Sequence, residues 1–372
     1  MRIIYVNDTL AIWGGLERVI VEKVNYLVEE YGHEVHLLTV NQGSHPIPYS
    51  LSSRVVYNDL GINFHQQYNY SKLRRIVIRW QLNCLFVKRL KEYISNIRPD
   101  IIVSVRSELT MGIVKAKGNI PLVYESHTSR YCRKFNNSGL CVRMKAAWYN
   151  RSARYANKIV TLTEGDALDW RNINPNVTVI PNIVHLNQSG NYSNCESKSV
   201  IFVGRFCRQK DIRRLLEIWE IVYKRHPDWD LHIYGGYGEE QNRILLEIKE
   251  MDANIQVHHP TSDIMEKYKE NSILLLTSRY EPFGLVLPEA MSCGLPVVAF
   301  DCPYGPAEII NDGVDGFLIR GRNIEEFADK VCLLMENQEL RVKMGKVGIV
   351  TSQRYDANLI MPLWKQLFKQ YQ

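Results

Sequence analysis

Glu281-Pro282-Phe283-Gly284-Leu285-Val286-Leu287-Pro288-Glu289 is a run of nine residues that begins and ends on a carboxylate. Upstream of it, Ile273-Leu274-Leu275-Leu276 is a continuous apolar run, as a parallel strand buried on both faces requires. Downstream, Ala290-Met291-Ser292-Cys293 continues a helix that Gly294 closes before Pro296 opens the next strand. Glu281 therefore falls on a loop at the carboxyl end of a strand, and Glu289 in the first turn of a helix. Ligands of open α/β sheets bind at that edge. Gly284 and the helix start also offer backbone N–H groups that suit a phosphate. Two carboxylates facing hydroxyls beside an anion-binding backbone describe a nucleotide-sugar site. The plainer reading makes Glu289 a favourable acid at a helix start and Glu281 a solvated loop residue.

The same alternation runs through the whole chain and predicts an α/β fold with parallel, doubly wound sheets. Expected strands in the first half are Ile3–Asn7, Val35–Val40, Ile101–Val105, Leu122–Glu125, Lys158–Leu162 and Val177–Ile180. In the second half they are Val200–Val203, Leu231–Tyr234, Ile255–His258, Ile273–Leu276, Val297–Phe300 and Phe317–Ile319. Asn187-Gln188-Ser189-Gly190-Asn191-Tyr192-Ser193-Asn194 has linker chemistry. Two Rossmann-like domains, 1–185 and 197–356, with a cleft between them follow from that division. A length of 372 residues suits two cores.

The apolar fraction of 45% and charged fraction of 23% are those of an ordinary globular protein. No run approaches the roughly 20 apolar residues that span a bilayer. Met1-Arg2-Ile3-Ile4-Tyr5-Val6-Asn7 reads as a first strand and not a signal peptide, so a cytoplasmic protein is expected. The cysteines at 84, 132, 141, 195, 207, 293, 302 and 332 form no metal-binding pattern and read as free thiols.

The stretch Ser278–Gly316 resembles the E-x7-E signature of glycosyltransferase family 4, retaining enzymes of the GT-B fold. Phe283-Gly284, Glu289-Ala290, Gly294-Leu295-Pro296 and Gly305-Pro306 stand in the family's order. Gly204-Arg205 and Lys210-Asp211 resemble its G-R-x4-K-G motif, with Asp211 where glycine is usual. Gly14-Gly15-Leu16-Glu17 looks like its G-G-x-E turn, and His127 follows a strand as the family histidine does.

The resemblance implies a metal-independent retaining transfer with no cofactor beyond the nucleotide-sugar donor. Glu289 would accept from the ribose and Glu281 from hydroxyls of the moving sugar. Backbone N–H groups of Phe283, Gly284, Leu285 and Val286 would bind sugar and phosphate. Arg205 and Lys210 would hold the leaving diphosphate, whose growing charge needs fixed cations where no metal is present. Gly15 would approach the diphosphate, His127 would stabilise the sugar cation, and Glu125 would be a lesser participant. Gly235, with Gly236 and Gly238, would let the backbone pass close to the nucleotide, although a plain turn explains them nearly as well. The last helix, 358–371, would cross back to the first domain.

Asp228-Trp229-Asp230 spells a metal-binding D-x-D, but it precedes a strand and so lies at the wrong sheet edge; it reads as a surface turn. Residues 1–184 hold 24 Lys/Arg against 14 Asp/Glu, a net +10, and the rest of the chain is net −4. Segment 72–98 concentrates the cations, with Ile78, Leu82, Leu85, Phe86, Leu90 and Ile94 on one helical face. It reads either as a core helix with a cationic outer face or as a helix docked on an anionic membrane. A second basic stretch, Arg130–Arg154, favours the membrane. No nucleic-acid-binding module appears. The resulting expectation is a UDP-sugar-dependent hexosyltransferase or N-acetylhexosaminyltransferase, peripheral on the inner membrane face, extending a polyprenyl-diphosphate-linked surface glycan. A soluble acceptor and a catalytically silent nucleotide-sugar-binding partner are the alternatives.

Overall fold

The computed structural model describes residues 1–131, 140–236 and 238–371, with backbone only at 140–143, 145 and 146. Cys132, Cys141 and much of the basic stretch Arg130–Arg154 lie outside the described side chains. Two compact units emerge: residues 1–183 with 358–372, and residues 184–357.

In the first unit β1 (Arg2–Val6), β2 (Glu34–Thr39), β3 (Val56–Asp59), β4 (Ile101–Ser104), β5 (Leu122–Glu125), β6 (Lys158–Thr161) and β7 (Val177–Val179) form one sheet. Their spatial order is β3-β2-β1-β4-β5-β6-β7, and every pairing is parallel. The order reverses between β1 and β4, so the ligand-binding switch point lies at the carboxyl ends of those strands. Strand β3 was not expected. Its sequence Val-Tyr-Asn-Asp is short and half exposed at the sheet edge, so it has no apolar alternation to betray it.

The second unit repeats the plan with β8 (Ser199–Val203), β9 (Asp230–Tyr234), β10 (Ile255–His258), β11 (Ile273–Leu276), β12 (Val297–Phe300) and β13 (Gly316–Ile319). The order is β10-β9-β8-β11-β12-β13, again all parallel, with its switch point between β8 and β11. Helix Ile212–Arg225 shows why the sheet is covered. Its buried residues Ile212, Leu215, Leu216, Trp219 and Val222 recur at helical spacing and pack into the core with Phe202, Leu231 and Ile233. Each such side chain contributes about 1.5–3 kcal/mol on burial.

Three readings change here. The polar stretch 187–194 is held on the second unit, where the Ser193 N–H donates to the Cys293 carbonyl at 2.9 Å and the Asn187 N–H to Ser292 Oγ at 3.0 Å. In the first unit, helix α2 (Lys72–Ile97) buries only the later part of its expected apolar face. Phe86, Leu90 and Ile94 are in the core, Leu82 and Leu85 are partly covered, and Ile78 is half exposed. Its first turns instead leave Leu73, Ile76, Val77 and Trp80 in solvent at 82%, 68%, 53% and 67% exposure. Arg89, one of the cations of segment 72–98, is not free on the outer face but donates to the carbonyls of Leu60 and Gly61 and so ties α2 to the sheet edge.

Helix Ala357–Lys369 places Ile360, Met361, Trp364, Leu367 and Phe368 in buried positions, and from Asn358 on the chain belongs to the first unit. Among the described cysteines, 84, 195, 207, 293, 302 and 332 are all free thiols. No helix of the described residues is long and apolar enough to cross a membrane.

Candidate active site

In the second unit the predicted residues meet at the β8/β11 switch point. Gly204 and Arg205 leave β8, and Ser278 to Glu281 leave the neighbouring β11. Lys210 Nζ lies 2.6 Å from Glu281 Oε1, which also accepts from Ser278 Oγ at 2.7 Å. Gln209 Nε2 approaches the other oxygen at 3.4 Å. A Cβ on Gly204 would come within 3.2 Å of Lys210 Cγ and Cδ, so the glycine leaves room for the lysine stem to lie across it. Two cations expected on a diphosphate thus behave differently. Lys210 is already paired, while the exposed Arg205 side chain has no hydrogen bond or ion pair among the described residues.

The Glu281 backbone is fixed as firmly as its side chain. Its N–H donates to the Pro303 carbonyl at 2.7 Å, and its carbonyl accepts from Tyr304 and Gly305 at 2.8 and 3.0 Å. Gly305 is required there because a Cβ would fall 1.7 Å from the Phe283 carbonyl oxygen. Phe283 is buried against Tyr355, ring centroids 5.1 Å apart, so its side chain packs the core and only its backbone remains for a ligand. Gly284 takes φ +99, in the left-handed region that glycine favours. Leu285 and Val286 open helix Val286–Ser292, whose buried Glu289 accepts from the Tyr268 hydroxyl at 3.2 Å.

Asp211, the departure from the glycine motif, has a local reason. The position is left-handed, φ 51, where glycine costs least and aspartate is among the tolerated alternatives. Its buried carboxylate receives Arg279 Nη2 at 3.0 Å and Arg322 Nη2 at 2.6 Å. Gly235 likewise has an internal explanation, since a Cβ there would lie 1.9 Å from the Gly204 carbonyl oxygen. Asp228 pairs with Lys198 at 2.5 Å and Asp230 begins β9, both at the amino edge of the sheet.

In the first unit, Gly15 begins helix α1 (Gly15–Glu29) with Gly14 as its extended N-cap. Glu17 folds back over Gly14 and accepts from Arg106 Nη2 at 3.3 Å, while Arg106 Nε donates to Asn7 Oδ1 at 3.2 Å. These residues mark the β1/β4 switch point. Next to it, His127 Nε2 lies 2.8 Å from Glu125 Oε1, the oxygen to which Lys23 Nζ also donates. The side chains of Lys23, Glu125 and His127 are 2%, 1% and 6% exposed. Burial alone would raise the Glu125 carboxyl, but the Lys23 ammonium and the His127 ring outweigh it and hold it at about 2. Burial pulls the His127 ring below its ordinary value against the attraction of Glu125, so the ring is neutral at neutral pH.

Lys23, Arg106, Gln209, Ser278, Arg279, Arg322 and Tyr268 were not anticipated. Only Lys23 left a signal in the sequence. It sits at helical spacing among Val19, Ile20, Val24, Leu27 and Val28, on the face that α1 buries. A cation on an apolar face needs a buried partner.

Residues 13–188 match the family model described as Glycosyltransferase Family 4, and residues 188–350 match that described as Glycosyl transferases group 1. An uncharacterized glycosyltransferase of Haemophilus influenzae is 27% identical over 358 residues, covering 95% of each chain. The amylovoran biosynthesis glycosyltransferase AmsD of Erwinia amylovora is 28% identical over 386 residues, covering 98% of this chain and 99% of its own. A crystal structure of a mutant TarM from S. aureus, in complex with fondaparinux, alpha-GlcNAc-glycerol and UDP, matches 99% of both chains with a TM-score of 0.79. At 17% identity that likeness speaks to the fold, which is GT-B. With two parallel α/β units, a carboxylate pair at the second switch point and the two halves matched by two glycosyltransferase models, the chain is a family 4-like glycosyltransferase.

Proposed function

We propose that this glycosyltransferase moves a hexose or N-acetylhexosamine from a UDP-sugar to a polyprenyl-diphosphate-linked glycan, with retention and without a metal, in bacterial surface-polysaccharide synthesis. The observation that carries the reading is Glu281, buried and fixed by Lys210, Ser278 and the 303–305 backbone at a sheet switch point, beside the exposed Arg205. The UDP in the TarM complex and the amylovoran role printed for AmsD support the donor and the pathway class.

In this mechanism Glu289 accepts from the ribose hydroxyls and Glu281 from hydroxyls of the transferred sugar. Arg205 receives the diphosphate first, and Lys210 shifts toward it as charge develops on the leaving oxygen. No enzyme nucleophile is assigned. The leaving phosphate deprotonates the acceptor hydroxyl on the face it departs from, which retains the configuration. His127 is assigned to the transferred sugar and the Gly15 turn to the diphosphate.

The partner surface is an anionic membrane. Between Asp59 and Glu92 the chain has no acidic residue, while Lys72, Arg74, Arg75 and Arg79 flank the exposed Leu73, Ile76, Val77 and Trp80. Apolar residues at helical spacing between cations suit a helix lying in the headgroup region. Lys88 and Lys91 extend the basic face, while Arg89 is engaged within the protein.

Purified protein supplied with UDP- and GDP-sugars and a lipid-linked acceptor extract tests the reading. Turnover with a UDP-sugar, and a product of the donor's anomeric configuration, is the expected result. Nucleotide binding without turnover on any donor would replace it with the silent-partner reading, and turnover only on water-soluble acceptors would remove the lipid carrier.

A further inference from the structure

We infer that Lys23 and Glu125 are positioning residues that set the proton of His127, and that the last helix completes this device by laying Trp364 over Lys23. The inference deepens the assignment of His127 to the transferred sugar and rests on it.

Lys23, Glu125 and His127 come from α1, the end of β5 and the loop after it, and they share one carboxylate oxygen. As a contribution to stability the pair is poorly chosen. Replacing a buried ion pair with apolar residues of similar volume is often neutral or stabilising. Lys23 occupies the apolar face of α1, where leucine or methionine would pack. Glu125 Oε2 is buried with no hydrogen-bond partner among the described residues, which adds a further desolvation cost.

What the arrangement secures is the state of the ring. An ionised carboxylate only accepts hydrogen bonds. Because the Lys23 ammonium keeps Glu125 ionised, His127 must carry its proton on Nε2. Nδ1 is then a lone-pair acceptor, and it has no hydrogen bond among the described residues. Such a nitrogen is matched to a hydroxyl donor, the group that a sugar presents. Trp364 holds Lys23 in place, with Nζ 4.0 Å from its ring centroid, and the Tyr5 ring lies at 5.9 Å. Tyr5 and Arg106 are the other titratable or charged groups whose fields reach this cluster.

The test uses the full chain with 15N-labelled histidine. Wild-type His127 should be neutral at pH 7 with the proton on Nε2; an Nδ1-protonated ring or an imidazolium would overturn the inference at once. In Glu125→Gln the amide NH2 can face the ring, so the proton should move to Nδ1 and kcat should fall roughly ten-fold, with little change in donor KM. In Lys23→Met the ring should take up a proton to balance Glu125, with a similar fall in kcat. Should Lys23→Met fail to fold, Trp364→Leu replaces it, expected to lower kcat without raising donor KM. Unchanged kcat and an unchanged ring in these variants, while His127→Ala is inactive, would leave the network as packing only. Full activity of His127→Ala would instead refute the role of His127 itself and leave the remainder of the proposed mechanism standing.

Discussion

Glu281 and Glu289 are both buried carboxylates, yet their partners give them different sensitivities to substitution. Glu281→Gln keeps the shape and the Ser278 contact but unpairs Lys210 and, in the proposed mechanism, removes the charge nearest the developing sugar cation. Transfer should fall about 100-fold or more with the melting temperature little changed. Glu289→Ala removes the proposed ribose acceptor, and the UDP dissociation constant should rise at least about ten-fold, the usual scale for one charged hydrogen bond. Calorimetric titration of UDP into both variants separates the roles, and equal losses of affinity would contradict the division.

Acid should expose the buried cluster of the first unit. Glu125 sits at about 2 in the folded chain against an ordinary 4.5, so its contribution to stability is complete above 4.5 and lost as pH falls toward 2. His127, also depressed, contributes fully above 6.5 and loses that contribution as pH falls. Urea midpoints at pH 7, 5.5 and 4 should therefore decline. In Glu125→Gln the protein should start less stable, and the part of its decline below pH 4.5 should be shallower, because that carboxyl no longer titrates.

Among the elements, the loop 278–284 is held mainly by close backbone approach. Gly305→Ala would drive a Cβ into the Phe283 carbonyl, so the loop must move and take Glu281 with it. The expected result is a lower melting temperature together with lost UDP-dependent activity, and a normal value for either would refute the packing account. Helix α2 gives a cleaner test at the surface. Reversing Arg74 and Arg75 to Glu should abolish binding to anionic vesicles at low salt, whereas Leu73, Ile76 and Trp80 to Ser should abolish the part that persists at high salt. A wild-type protein that ignores such vesicles would remove the membrane from the reading.

These elements also show what a sequence makes legible. Strands β8, β11 and β12 announce themselves because burial on both faces demands unbroken apolar runs. The carboxylates are found from their place beside a strand end and a helix start, and Arg205 and Lys210 from their resemblance to the family's motif. Edge strand β3 has no such constraint. The bare first turns of α2 escape notice because apolar residues at helical spacing do not show whether anything covers them. Arg279 and Arg322 are invisible in advance, since their common partner Asp211 is a residue that the motif would have as glycine.

At the scale of the whole molecule, a chelator should leave the rate unchanged, since in the proposed mechanism Arg205 and Lys210 supply the positive charge. Reversible loss of activity in EDTA would overturn that assignment and return Asp228 and Asp230 to consideration.

The final helix has a consequence for the birth of the protein. The first unit takes its last buried residues from Ile360 to Phe368, after the 174 residues of the second unit, 184–357, have been made. At ribosomal speeds that interval is on the order of 10–30 s. During it, the nascent first half carries Lys23 without the indole that covers it, and its basic, apolar α2 already outside the ribosome. Order of synthesis and order of completion are therefore reversed: the half that begins first is finished last. A stop codon at 358 should leave the second unit folded and the first in need of chaperones, which pulse-labelled protease resistance of each half would show.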